Sequence, residues 1–104
     1  VPDLKGERMK WVADKLLDGE EVIFRPRGNS MDPLVKNGQE VTVSPIAEDT
    51  KIEVGSILLC KVRGRVLLHK VLALGPSGFL IGSNKGLTNG WTRTVYGILT
   101  AKGT

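Results

Sequence analysis

The sequence predicts a mostly β domain with one N-terminal helix, and three observations carry that prediction. Apolar residues recur at helical spacing only once, near the start of the chain. Beyond Gly19 they fall into short runs, some strictly alternating, divided by glycine or proline. The 104 residues also include 13 glycines, with Val, Ile, Leu and Thr frequent, which suits short strands joined by tight turns. A chain of this length is expected to form one domain, 1–104, around a single core.

The helix is expected over about residues 5–18, where Met9, Val12, Ala13, Leu16 and Leu17 form one apolar face. Gly19 is placed to end it as the residue after the C-cap, and Trp11 falls off the stripe. The β part is expected over about 21–100. Glu21–Phe24 is the first strand, and Glu40–Ser44 alternates until Pro45 stops it. Ala47–Glu53 reads as a polar, acidic loop. Ser56–Val62 and Val66–Leu74 follow, joined by a hairpin turn at Arg63-Gly64-Arg65. A second turn, Gly75–Gly78, leads into Phe79–Ile81. Gly82–Gly90 reads as a loop rich in Gly and Asn, and Thr92–Thr100 as the last strand, for six or seven strands in all. Repeats, low-complexity tracts and linkers are absent from the sequence.

Composition limits the function classes. Hydrophobic residues make up 40% and charged residues 25%, which is ordinary for a folded soluble protein and unlike a disordered one. A net charge of +4 permits an acidic partner without demanding one. One cysteine rules out an internal disulfide and fits a reducing, cytoplasmic compartment. Cys60 lies in the apolar run Ile57–Cys60 and reads as a core thiol. With one histidine and one cysteine no zinc site can be assembled, and neither a metal nor another cofactor is expected. No apolar run reaches membrane-spanning length and no signal peptide is visible, so no membrane anchor is expected. The chain starts at Val1 rather than Met, and residues upstream of it are expected.

Two stretches carry chemistry. In Arg25–Leu34, Pro26 and Pro33 fix φ and remove backbone donors, while Gly28 permits torsions closed to other residues. Such a frame holds one small side chain, Ser30, at a bend. Ser30 can cap a short helical turn starting at Met31, whose N–H groups would face anything bound beside the hydroxyl. In Val66–Leu72 two ionisable residues, His69 and Lys70, interrupt an apolar strand, where charge is costly without a partner. Adjacent strand residues point to opposite faces, so only one of them can meet Ser30. Either can serve as general base to a serine: histidine with little adjustment of its pKa, lysine only when desolvated.

Taken together, Gly28-x-Ser30-Met31-x-Pro33, Gly38-Gln39-x-Val41-x-Val43, Val54–Ile57 and Val66–Val71 occur in an order that resembles the LexA/signal-peptidase superfamily of serine peptidases. Val95–Leu99, with Gly97 at its centre, looks like the family's final strand. The resemblance covers about residues 22–100. It implies a partly closed β domain with Ser30 as nucleophile and His69 where the family places a lysine or histidine base. Lys70 then matches the basic residue that commonly follows the base. It implies peptide-bond hydrolysis by acyl transfer on a peptide or protein substrate. The oxyanion would be held by backbone groups at Gly28, Ser30 and Met31, since Gly28 has no hydroxyl to offer. An exposed edge strand would allow a homodimer, as in relatives.

The pattern also departs from the family. Signal peptidases carry aspartates in the stretch matching Gly82–Gly90, which here contains no carboxylate. Ser83, Asn84, Asn89 or a backbone carbonyl is left to orient His69, and Asp32, after Met31, is expected to point away. Residues 1–29 hold neither an Ala-Gly nor a Cys-Gly bond and no helix-turn-helix, so self-cleavage within this chain is not expected. Trp91 either packs on the core or lines a peptide groove. A second reading uses the same fold without turnover, as a nucleic-acid- or protein-binding regulatory module. Arg25, Arg27, Lys61, Arg63, Arg65, Lys85 and Arg93 would then supply a basic surface, with Arg63 and Arg65 flanking a hairpin tip.

Overall fold

The computed structural model describes residues 1–4 and 8–103. It is mostly β, with helix α1 (Met9–Leu17) and strands β1 (Asp3–Leu4), β2 (Val22–Pro26), β3 (Val41–Pro45), β4 (Ile57–Val62), β5 (Arg65–Gly75), β6 (Gly78–Gly82), β7 (Thr88–Thr92) and β8 (Val95–Lys102). The strands form one curled sheet in the order β1-β2-β3-β8-β4-β5-β6-β7. The short β1 runs parallel to β2, and the other pairings are antiparallel. Among the described residues no helix is long and apolar enough to cross a membrane.

Helix α1 buries Met9, Val12, Ala13 and Leu16, the spacing that puts one face on the sheet. Leu17, assigned to that face from the sequence, is instead 69% exposed, on the flank of the helix. The expected range began at residue 5; positions 5–7 lie outside the described residues. After Asp18, Gly19 takes φ +84°. Its N–H donates to Leu16 O at 3.0 Å and that of Glu20 to Lys15 O at 3.0 Å, the paired bonds of a Schellman cap.

The helix covers one core, with Phe24, Val41, Val43, Leu59 and Leu68 buried beneath it. A second cluster, Leu58, Cys60, Val62, Val71 and Ile81, occupies the other side. Strand β4 feeds both, which is why Ile57–Cys60 is continuously apolar rather than alternating. Burial raises the Cys60 thiol to about 12, as expected of an inert core cysteine. Between β4 and β5 the two-residue turn has φ 50° at Arg63 and 81° at Gly64, the mirror-type hairpin turn that matches strand twist.

The C-terminal third departs from expectation. Thr88–Gly90, predicted as loop, belongs to β7 and pairs with β6, Gly82 opposite Thr88 and Ile81 opposite Gly90. Thr-Asn-Gly has little intrinsic strand preference, so tertiary pairing decides its conformation. The predicted strand Thr92–Thr100 is in fact two. Thr92 closes β7, and its hydroxyl donates to Lys61 O at 2.6 Å and accepts from Thr94 N–H at 3.0 Å, fixing a corner before β8. Because Lys61 lies on β4, this bond closes β7 back over a strand three places away in the sheet. Register shifts in the β5–β6 and β6–β7 ladders bend the strands in between. That curl places the functional residues described below.

Gly97 sits at a close approach of helix and sheet. A Cβ there would lie 2.7 Å from Ser44 O, 2.8 Å from Leu16 Cδ1 and 2.8 Å from Val43 Cγ1. Gly97→Ala is therefore expected to lower unfolding free energy by roughly 1–3 kcal/mol through overpacking. Urea denaturation with an unchanged midpoint would contradict the close approach.

Candidate active site

Strand β2 runs directly into the loop that carries Ser30, and the loop is pinned along its length. Arg27 N–H donates to Leu4 O at 3.0 Å, Gly38 N–H to Pro26 O at 2.8 Å, and Gly28 N–H to Asn37 Oδ1 at 2.9 Å. Gly28 adopts φ +121°, a conformation that side chains disfavour. Residues Ser30–Leu34 form a turn rather than a helix, with Asp32 N–H donating to Asn29 O at 3.1 Å and Val35 N–H to Met31 O at 2.9 Å. Met31 and Val35 are buried and anchor the turn in the helix-side core. Ser30 does not cap it with its hydroxyl, which is directed elsewhere.

Ser30 Oγ lies 3.1 Å from His69 Nε2. His69 comes from β5, paired with Leu58 of β4, and is 8% exposed. Its Nδ1–H donates to Asn89 Oδ1 at 2.6 Å. With the proton held on Nδ1, Nε2 presents a lone pair to the serine hydroxyl. Burial lowers the imidazole below its ordinary 6.5; the Asn89 bond opposes this and the nearby Arg65 cation reinforces it. The imidazole is consequently neutral at pH 7, the form that can accept a proton.

Lys70 points to the other face, as strand alternation requires, and its ammonium donates to Asn84 Oδ1 at 2.6 Å rather than to Ser30. Asn84 in turn grips the serine turn twice: its N–H donates to Ser30 O at 2.8 Å and its Nδ2 to Asp32 O at 3.0 Å. Ser83 is buried and does not reach His69. Its Oγ accepts the N–H groups of Lys85 and Leu87, each at 3.1 Å, and so shapes the loop that presents Asn84. The Asp32 carboxylate faces Lys85 Nζ at 3.9 Å, away from the imidazole. Asn89 is thus the orienting group among the alternatives the sequence left open.

The backbone donors also sort themselves. Among the described residues, the N–H groups of Ser30 and Met31 have no acceptor within the protein. The N–H of Gly28, expected with them, is taken by Asn37 and is withdrawn from the oxyanion set. Beside the Ser30–His69 pair lies a cavity of about 170 Å3, with apolar walls from Met9, Met31, Val35 and Leu68 and with Arg27, Lys36 and Arg65 also in its lining. Met31 was expected at the site from sequence, and Arg27 and Arg65 in a basic surface, whereas Met9, Val35, Lys36 and Leu68 were not singled out as part of a site. Of the expected basic surface, Arg25 faces Glu40 at 3.6 Å, Arg27 meets Asp3 at 2.9 Å, and Arg93 donates to Pro76 O. Trp91 is 46% exposed and lies against Gly75 rather than at the serine. Among the described residues no three His, Cys, Asp or Glu side chains gather as metal ligands.

No protein-family model, curated protein or solved structure matches this chain.

Because the folded imidazole titrates below 6.5, the unfolded chain binds more protons just under that value. The stabilisation from neutral His69 is complete above 6.5 and is lost as pH falls towards the folded pKa. The urea midpoint is expected to drop on acidification through this window, and less so in His69→Gln. Asn89→Asp places a carboxylate on Nδ1, raises the imidazole pKa and shrinks the slope. An identical acid dependence in all three proteins would contradict a buried neutral His69.

Proposed function

We propose that the chain is a small serine peptidase of the LexA/signal-peptidase type, with Ser30 as nucleophile and His69 as general base. The observation that carries this reading is the line of contacts from Ser30 Oγ to His69 Nε2 at 3.1 Å and from His69 Nδ1 to Asn89 Oδ1 at 2.6 Å. The ordered motifs around Ser30 and His69 support the same reading. An amide oxygen fixes the imidazole tautomer as a carboxylate would, though it stabilises the imidazolium less.

In the reaction His69 Nε2 takes the Ser30 proton as Oγ attacks a peptide carbonyl. The N–H groups of Ser30 and Met31 face the developing oxyanion, and His69 returns the proton to the leaving amine. Water, deprotonated by the same imidazole, then takes the acyl group as a carboxylic acid, and the imidazolium returns the proton to the departing Oγ. The substrate lies extended along β5. The β6 ladder begins at Lys70, so among the described residues Arg65–His69 has a strand on one side only, and a peptide can add to the other.

The test is covalent labelling with a fluorophosphonate, read by intact mass. Wild type is expected to take one adduct and Ser30→Ala none. His69→Ala is expected to react slower by roughly 10²–10⁴-fold, the usual worth of a general base. Equal labelling of all three proteins, or none of wild type, would contradict the proposal; the latter favours a binding module on the same fold.

A further inference from the structure

Three cations near the Ser30 turn are matched by carboxylates, Arg25 by Glu40, Arg27 by Asp3 and Lys85 by Asp32, and Lys70 donates to the Asn84 amide. A second set is not. Among the described residues, Lys10, Lys61 and Arg65 have no carboxylate within ion-pair distance. All three line one open cavity of about 610 Å3 between α1 and the β4–β5 hairpin, where Asp14 is the single acidic residue among the described residues. The apolar part of its lining includes Leu17, Val66 and Tyr96, and the exposed side of α1 at Leu17 opens onto it.

This groove adjoins the cavity beside Ser30 and His69, for Arg65, Val66 and Leu67 line both. Arg65 precedes His69 by four positions on the same strand. An extended chain advances about 3.3 Å per residue, so the two points are roughly 13 Å apart, or about four residues of a peptide lying alongside.

We infer that the groove between α1 and the hairpin docks an acidic segment of the peptide that reaches Ser30, its carboxylates meeting Lys10, Lys61 and Arg65. The inference rests on the peptidase reading and adds to it a substrate class: aliphatic residues with Asp or Glu about four positions from the cleaved bond. Aliphatic side chains cover Leu17 and Val66, which a nucleic-acid backbone would leave exposed to water.

The experiment separates docking from turnover by using Ser30→Ala. A fluorescein-labelled peptide of alternating Leu and Glu is titrated onto it by anisotropy, beside Leu-Gln and Leu-Lys counterparts and a single-stranded thymidine oligomer. The Leu-Glu peptide is expected to bind roughly tenfold more tightly than Leu-Gln, a few exposed ion pairs' worth, and to weaken with salt. In Lys61→Glu/Arg65→Glu the preference is expected to pass to Leu-Lys. Equal affinity for Leu-Glu and Leu-Gln would overturn the inference, as would binding of the oligomer in preference to the acidic peptide. Charge-selective binding by a protein whose Ser30 takes no label would sustain the docking site and remove the peptidase. A labelled Ser30 without charge selectivity would do the reverse.

Discussion

The site depends on the immobility of the Ser30 turn. A serine on a surface turn would sample several rotamers and backbone states, and its hydroxyl would spend little time facing any one base. Here Asn84 holds the turn through two hydrogen bonds, to Ser30 O and Asp32 O, while its own amide oxygen is fixed by Lys70. Met31 and Val35 anchor the same turn from the core side. With the turn clamped from both sides, much of the entropic cost of aligning Oγ with Nε2 is met during folding rather than at each encounter with a ligand.

His69 and Lys70 divide the labour that their adjacency forces on them. One faces the serine hydroxyl, buried and neutral; the other remains on the opposite face, where an amide accepts its proton donor. Both lead back to the same turn because the sheet curls, so that the β6–β7 segment supplies Asn84 to one and Asn89 to the other. Burial keeps His69 below its ordinary pKa, and the Asn89 amide on the imidazole opposes this without reversing it. Cys60, buried in the other core and raised to about 12, contributes packing rather than reactivity.

Local chemistry made part of this legible in the sequence. The α1 stripe apart from Leu17, the Arg63-Gly64 turn and the opposition of His69 and Lys70 follow from periods of 3.6 and 2 and from turn residues, and the structure has all three. The Ser30 frame was visible in its prolines and glycine, although the turn is not helical. What escaped depends on long-range pairing. Thr88–Gly90 is polar and glycine-containing, so its incorporation as β7 had no periodic signal, and the selection of Asn89 over Ser83 or Asn84 follows from that pairing. Gly28's N–H was lost to Asn37, nine residues on, a side-chain contact that spacing alone does not reveal. The cavity walls and the unpaired cations of the groove are likewise products of helix placement on the sheet.

The central claim is that burial keeps His69 neutral while Asn89 holds its proton on Nδ1, so that a bare Nε2 faces Ser30. Nitrogen-15 NMR of the histidine ring measures this directly, since His69 is the single histidine of the chain. At pH 7 the account predicts a protonated Nδ1 and an unprotonated Nε2, persisting as pH falls below the ordinary 6.5 and unchanged in Ser30→Ala. A ring protonated on Nε2, or doubly protonated at pH 7, would contradict it.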